Sequence, residues 1–257
     1  MGVHQKINRV ARRHLKKHLS QSTDFPAIGD ILRFEGINGP DGLKRKHPGK
    51  DEPWHFIDPQ NVLKGDLLKS IHNHMSNLAT ALKQNNNERA AFEAAWLAHA
   101  ITDGLTPAHH YPLEDKLAEL RGGEGLETRN SKRKKVLIPG DTRLKLLKNN
   151  WEYWGAKGVM TTHLNFELGI ASAVATMRFD TLSFDPANFE VESVRDFDKR
   201  YQESIQRVHA MKMYEEFIIK GWTRHLARET KNTLVPEIIR LVMLGWVSAV
   251  KLSKQQL

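Results

Sequence analysis

Three residues in one short stretch of the chain have the types and the spacing to hold a metal ion. In AWLAHAITDGLTPAHHYP, Ala95 to Pro112, His99 and Asp103 stand four apart in an alanine-rich, helix-compatible run. An α-helix turns once in about 3.6 residues, so the imidazole and the carboxylate share one face, a turn apart. Gly104 and Pro107 then end the helix, and His109 follows two residues after the proline. Zinc takes imidazole nitrogen and carboxylate oxygen, and a helix holds such a pair rigidly enough to set bond angles. The chain has no cysteine, which excludes disulfides and thiolate ligands. Any metal must therefore be held by His, Asp and Glu. His163 and Glu167 repeat the four-residue spacing further along.

The elements that must position these side chains read as helices. Over residues 5–19, Ile7, Val10, Ala11, Leu15 and Leu19 recur at three- and four-residue steps between lysines and arginines, which predicts a basic amphipathic helix. His4 stands just before it, and His14 and His18 are expected on its polar side. Residues 20–53 are rich in turn formers and read as irregular, with a short helical turn near Ile28–Phe34. Asp41 lies there in a Gly-Pro-Asp-Gly context, which by itself is a turn aspartate. His55 lies among Trp54, Phe56 and Ile57, company that by itself suits a core histidine. Long helices are expected at Asn61–Lys83, where His72 and His74 read as structural or surface residues, and at Asn87–Gly104. A short one is expected at Leu113–Leu120. His163 and Glu167 fall in a helix from about Val159 to Arg178. After a break at Asp180–Asn188, two long helices, Val191–Arg228 and Thr233–Lys254, close the chain, with Pro236 in the first turn of the last. No strand-like alternation stands out. The expectation is a single all-α multi-helix bundle over residues 1–257 with a basic insertion at 121–158.

The net charge of +9 favours an anionic partner. Residues 121–150 hold nine Lys or Arg against three Asp or Glu, the composition of a solvated loop or of a segment that tracks phosphates. Trp151, Tyr153 and Trp154 follow at once; such rings stack nucleic-acid bases or cap a core. No apolar run approaches the roughly 20 residues of a membrane span, so no transmembrane segment is expected. The N-terminus lacks the apolar stretch of a signal peptide. The chain as written is expected to be cytoplasmic, or secreted if a processed leader precedes it.

Taken in order, an N-terminal histidine, Asp41, HFIDP at His55–Pro59, HxxxD at His99–Asp103, PxH at Pro107–His109 and HxxxE at His163–Glu167 form a pattern. It resembles the zinc-dependent phospholipase C and single-strand-specific zinc nuclease superfamily, over roughly residues 1–170. The resemblance implies that family's all-α fold and a site for three zinc ions. The first would take Asp41, His55, His99 and Asp103, and the second His109, His163 and Glu167. The third would take His4, Asp103 and the amino group and carbonyl of Met1. Asp103 would bridge two ions, and Asp41 and Asp103 are the implied catalytic residues. Two features depart from the family pattern. The chain opens Met-Gly where members open with a processed tryptophan, and the span from His109 to His163 holds a longer insertion.

The activity implied is hydrolysis of a phosphodiester by a metal-bridging hydroxide. Single-stranded nucleic acid is the favoured substrate, because the basic first helix, the basic insertion and its aromatics suit a stacking polyanion. The alternative is a phospholipase C acting on phospholipid head groups, which should present an apolar rim that the sequence does not reveal. A non-catalytic, basic helical module that binds nucleic acid is the reading from a different class.

Overall fold

Apolar side chains recurring at helical spacing organise the whole computed structural model, which describes residues 2–19, 24–46, 55–124, 128, 131–191 and 193–255. Among these there is no strand. Helix α1, Val3–Leu15, buries Ile7, Val10, Ala11 and Leu15. It also buries His14, expected on the polar side: the ring donates from Nε2 to the Phe179 carbonyl at 3.2 Å and meets Phe184 edge-on. The segment after residue 178 covers that side of α1, which sequence periodicity could not show. The stretch expected to be irregular forms α2, Ile28–Leu32, a 3-10 turn, Gly36–Asn38, and α3, Pro40–Lys46. Asp41 is thus in the first turn of a helix rather than in a loop. Pro40 opens that helix, where the missing N–H costs no intrahelical bond.

A 3-10 turn at Val62–Lys64 leads into α4, Asp66–Lys83, and then α5, Asn87–Leu105, whose first turn is capped by the Asn86 side chain on Arg89 N. A further 3-10 turn, Pro107–His110, precedes α6, Leu113–Leu120. Helix α5 is the centre of the fold. Helices α1, α2, α4, α10 and α13 all pack against it. Its buried alanines (Ala90, Ala91, Ala94, Ala95, Ala98 and Ala100) keep it thin. Helix α13, defined below, lies close enough that a Cβ on its Gly245 would come 2.6 Å from Ile101 Cδ1, and Trp246 Nε1 donates to Ala94 O at 2.9 Å. Close packing of this kind makes the interior intolerant of added volume.

The basic insertion contains two helices, α7, Lys132–Val136, and α8, Arg143–Trp154. Its described part is therefore more than a loop. Leu113, Leu117 and Leu120 of α6 pack with Ile138 and Tyr153 into a small second core. The arm is tied down by Asn149 Nδ2, which donates to the carbonyls of Leu120 and Pro139 at 2.9 and 2.7 Å. Helix α9, Val159–Val174, follows. Its C-terminal carbonyls, Val174 O and Ala175 O, accept from Lys6 Nζ of α1.

The helix expected at Val191–Arg228 is three: α10, Val194–Ala210, α11, Met213–Lys220, and α12, Arg224–Glu229. Lys212 (φ 52°) is left-handed and Gly221 (φ 69°, ψ −163°) takes a positive φ that glycine adopts freely, and the two bound α11. Glycine signals such a break in sequence; lysine does not. Through a π-helical turn at Thr230–Leu234, α12 continues into α13, Val235–Lys254. By length and composition only, this Arg224–Lys254 helix is apolar enough to cross a membrane. Of its most apolar window, 78% is buried inside the protein, so its composition is accounted for by the core.

Candidate metal centre

The C-terminal half of α5 carries the site. His99 and Asp103 are 3% and 2% exposed, deep under the helices that pack around them. Four imidazoles face the Asp103 carboxylate. His55 Nδ1 touches Oδ2, His99 Nε2 is 3.5 Å from Oδ2, His4 Nε2 is 3.5 Å from Oδ1, and His109 Nδ1 is 3.9 Å from Oδ1. Each arrives on a different element. His4 comes from the first turn of α1, and its ring stacks on that of His99 at 4.0 Å. His109 comes from the 3-10 turn after α5, a bend stabilised by Thr106 Oγ1 donating to Thr102 O at 2.9 Å. The segment bearing His55 lies along that turn through Ile57 N donating to His109 O at 3.1 Å. Asp41 approaches from α3, with Oδ1 3.7 Å from His99 Nε2, and its side chain is half exposed.

His109 faces a second group with its other nitrogen. Its Nε2 is 3.0 Å from Glu167 Oε1, and His163 Nε2 is 3.1 Å from the same oxygen. The rings of His109 and His163 stack at 5.0 Å and 7°. Helix α9 reaches this position because residue 169 is glycine: a Cβ there would come 2.3 Å from the Trp222 ring.

Ligating atoms therefore gather in three sets, each within 4.8 Å: His4, His99 and Asp103; Asp41, His55 and His99; and His109, His163 and Glu167. The last matches one set implied by the family resemblance. In the other two, His99 is the shared residue, and the Asp103 oxygens are divided among His4, His55, His99 and His109. Met1 lies outside the described residues.

The donor chemistry and spacing fit zinc. At Zn–N and Zn–O distances near 2.1 Å, tetrahedral donors sit about 3.4 Å apart. The separations between 3.0 and 3.9 Å bracket that value. Most are too long for well-formed hydrogen bonds. The buried Nε2 of His99 has no hydrogen-bond partner among the described residues, although carboxylates stand 3.5 and 3.7 Å away, an arrangement that suits a shared cation.

Electrostatics point the same way. Burial alone would raise the carboxyls of Asp103, Asp41 and Glu167, but the imidazoles beside them outweigh it and hold all three well below the ordinary range. Burial alone would lower His99, yet Asp103, Asp41 and Glu35 raise it well above the ordinary value. The pocket is a concentration of ionised carboxylate that calls for positive charge.

Sequence reasoning missed two residues here. Glu35, 5% exposed, accepts from Asn8 Nδ2 at 3.1 Å and stands 3.5 Å from His99 Nδ1, where it orients the ring. It belongs to no spaced pair, so nothing in the sequence marks it. Tyr201, fully buried, brings its hydroxyl against Gly104, beside Asp103. His72 and His74 stay outside the site, paired with Asp198 and Glu93 at 2.6 Å each. Exposed apolar side chains also stand near donors in sequence. Leu164 and Leu168 each follow a donor of α9 by one position and are 49% and 63% exposed. Ile37, just before α3 and Asp41, is also exposed.

No family model matches the chain, and no curated protein matches it. Among solved structures, the alpha-toxin of Clostridium perfringens, isolated from avian strain SWCP, is similar with a TM-score of 0.59 at 11% sequence identity. The match covers 100% of this chain and 65% of the toxin's, so the chain spans just under two thirds of that protein's length. Over its whole length, this chain shares the all-α, multi-helix architecture of the matched part of that toxin.

Proposed function

We propose that the chain is a zinc-dependent phosphodiester hydrolase of the phospholipase C type, acting on phospholipid head groups. The observation that carries the proposal is the convergence of three His/Asp/Glu donor sets on the end of α5. They would hold up to three zinc ions, with the N-terminal residue a candidate to complete the set around His4. Zinc so held acidifies water toward neutral pH and neutralises charge on phosphoryl oxygens. Asp41, half exposed with Oδ1 3.7 Å from His99 Nε2, would share a zinc ion with His55 and His99 on the solvent side, where an attacking water could be held. Asp103, buried among four imidazoles, would fix their orientation. Glu167, ionised and partly exposed, would do the same for His109 and His163.

The choice of lipid over nucleic acid rests on the exposed apolar residues around the donors. Leu164 and Leu168, each one residue from a donor on α9, and Ile37, four residues before Asp41, are exposed apolar side chains of the kind a lipid-acting enzyme needs, and they support this choice. The nucleic-acid substrate expected from the basic first helix, the basic insertion and its aromatics finds no support in the structural comparison.

The test measures release of phosphorylated head groups from phosphatidylcholine and digestion of single-stranded DNA at matched enzyme concentration, with elemental analysis of the same sample. Lipid turnover that is lost on chelation and restored by zinc is the expected result. Turnover that survives complete metal removal would overturn the metal assignment, and DNA digestion without lipid turnover would overturn the substrate. If zinc-loaded protein hydrolyses neither, while His99→Ala lowers the melting temperature, the chain is a non-catalytic module.

A further inference from the structure

Helix α8 has an outward stripe of large apolar side chains. Its inner side is fixed by the buried Asn149 and Tyr153. Leu144, Leu147, Trp151 and Trp154 point the other way, at 81%, 65%, 72% and 39% exposure. At 3.6 residues per turn, these four fall within about 80° of arc, so they form a single stripe along the helix. The rings are also placed rather than loose. Trp151 lies over Gly155, where a Cβ would meet ring atoms at 3.0 and 3.1 Å. Trp154 Nε1 donates to Val136 O at 2.7 Å, which joins the end of α7 to the stripe. Helix α8 packs against α9, the helix that carries His163, Glu167 and the exposed Leu164 and Leu168. Among the described residues, no large exposed hydrophobic lies on α4, α5, α10, α12 or α13.

Charge identifies the occupant. The stripe belongs to the segment with nine Lys or Arg against three Asp or Glu; on α8 itself lie Arg143, Lys145 and Lys148, of which Lys145 pairs with Asp141 and Lys148 with Glu152, leaving α8 a net positive charge. Two such arms facing each other would repel, which disfavours a second copy. Trp151 and Trp154 could stack bases, but the other half of the stripe, Leu144 and Leu147, offers bases no ring to stack on and suits acyl chains better than nucleic acid. Apolar and tryptophan side chains framed by basic residues match the acyl boundary and head groups of an anionic bilayer. We propose that α8 is a docking surface for anionic lipid bilayers, which brings the donor sets to the membrane surface. This rests on the phospholipid reading above and adds the means by which the chain reaches an aggregated substrate.

The experiment uses zinc-loaded protein in three forms: wild type, a Leu144→Ser, Leu147→Ser, Trp151→Ser triple variant, and Trp151→Phe alone. Sedimentation with vesicles of phosphatidylcholine, with and without a minority of phosphatidylserine, reads binding. Wild type should bind, more tightly when phosphatidylserine is present. The triple variant should lose at least tenfold in vesicle affinity and in vesicle hydrolysis, yet turn over soluble bis-p-nitrophenyl phosphate at the wild-type rate. Trp151→Phe, which keeps the fold's shape, should lose most of the blue shift in tryptophan fluorescence on vesicle addition. The proposal is overturned by wild type that does not sediment with anionic vesicles, by a triple variant that binds as well as wild type, or by an unchanged blue shift in Trp151→Phe. It is also overturned if wild type is a dimer that the triple variant abolishes. Vesicle binding by a chain that hydrolyses no phosphodiester would sink the proposed function and leave the docking surface standing. Hydrolysis of soluble esters without vesicle binding would do the reverse.

Discussion

Replacing Gly104 with alanine asks how tightly the donor-bearing helix is wedged against α10. A Cβ at that position would fall 1.7 Å from Tyr201 Oη, 2.9 Å from its Cζ and 3.2 Å from Leu67 Cδ2. Comfortable contact begins near about 3.5 Å, so the phenol would have to retreat by nearly 2 Å. Tyr201 is fully buried and stacked on Phe197 at 5.6 Å and 14°, which leaves it nowhere to go. Overpacking of this kind costs about 1–3 kcal/mol, and a near-overlap belongs at the top of that range. Alanine's better helix propensity returns about 1 kcal/mol. The net expectation is a loss of about 2 kcal/mol, which for a chain of this size lowers the melting temperature by about 4–8 °C. Tyr201→Phe removes the atom in closest conflict, and its hydroxyl has no hydrogen-bond partner among the described residues, so that change alone should be close to neutral. The double variant should recover about half of the loss, because Cζ stays too near. Thermal unfolding of the four proteins at equal zinc reads the cycle. Gly104→Ala melting at or above wild type, or a double variant no more stable than Gly104→Ala, would refute the wedge.

Glu35→Gln keeps an acceptor for Asn8 but removes the negative charge beside His99 Nδ1. Zinc affinity measured by chelator competition should fall about 10–100-fold with helicity unchanged, and an unaltered affinity would remove Glu35 from its orienting role. Burial favours the neutral form of Glu237, but Arg240, Ser204 and Arg207 outweigh it and pull the carboxyl from 4.5 down to about 2. A carboxyl depressed by folding contributes stability that is complete above its unfolded value and is lost as pH falls through the folded one. Glu237→Gln should therefore flatten the decline in stability between pH 4.5 and about 2 in acid titration of urea unfolding, and an identical decline would contradict the pairing.

The central helix was legible because its alanines, its i, i+4 pair and the proline just beyond it agree; Gly104, read as part of the ending, lies inside the helix, where Tyr201 leaves no room for a Cβ. His163 and Glu167 were legible for the same reason. What stayed hidden depends on contacts between segments distant in sequence. Glu35 is an isolated acid until α2 and α1 bring it beside His99. His14 looked solvated because only the return of the chain near Phe179 covers it. Lys212 breaks a helix without a composition that announces it. Leu144, Leu147 and Trp151 show the reverse limitation: helical spacing of apolar residues does not reveal whether another element meets them.

The alanine-built thinness of α5 has one more consequence. A spindle with so little bulk lets several neighbours share it, and it ties the whole arrangement to a few small residues and a handful of donors. Mutation over long times is then channelled to the outer layers, where much can change while the architecture persists. An architecture resting on so few positions can be shared by chains whose letters hardly agree, as 11% identity across the full chain illustrates.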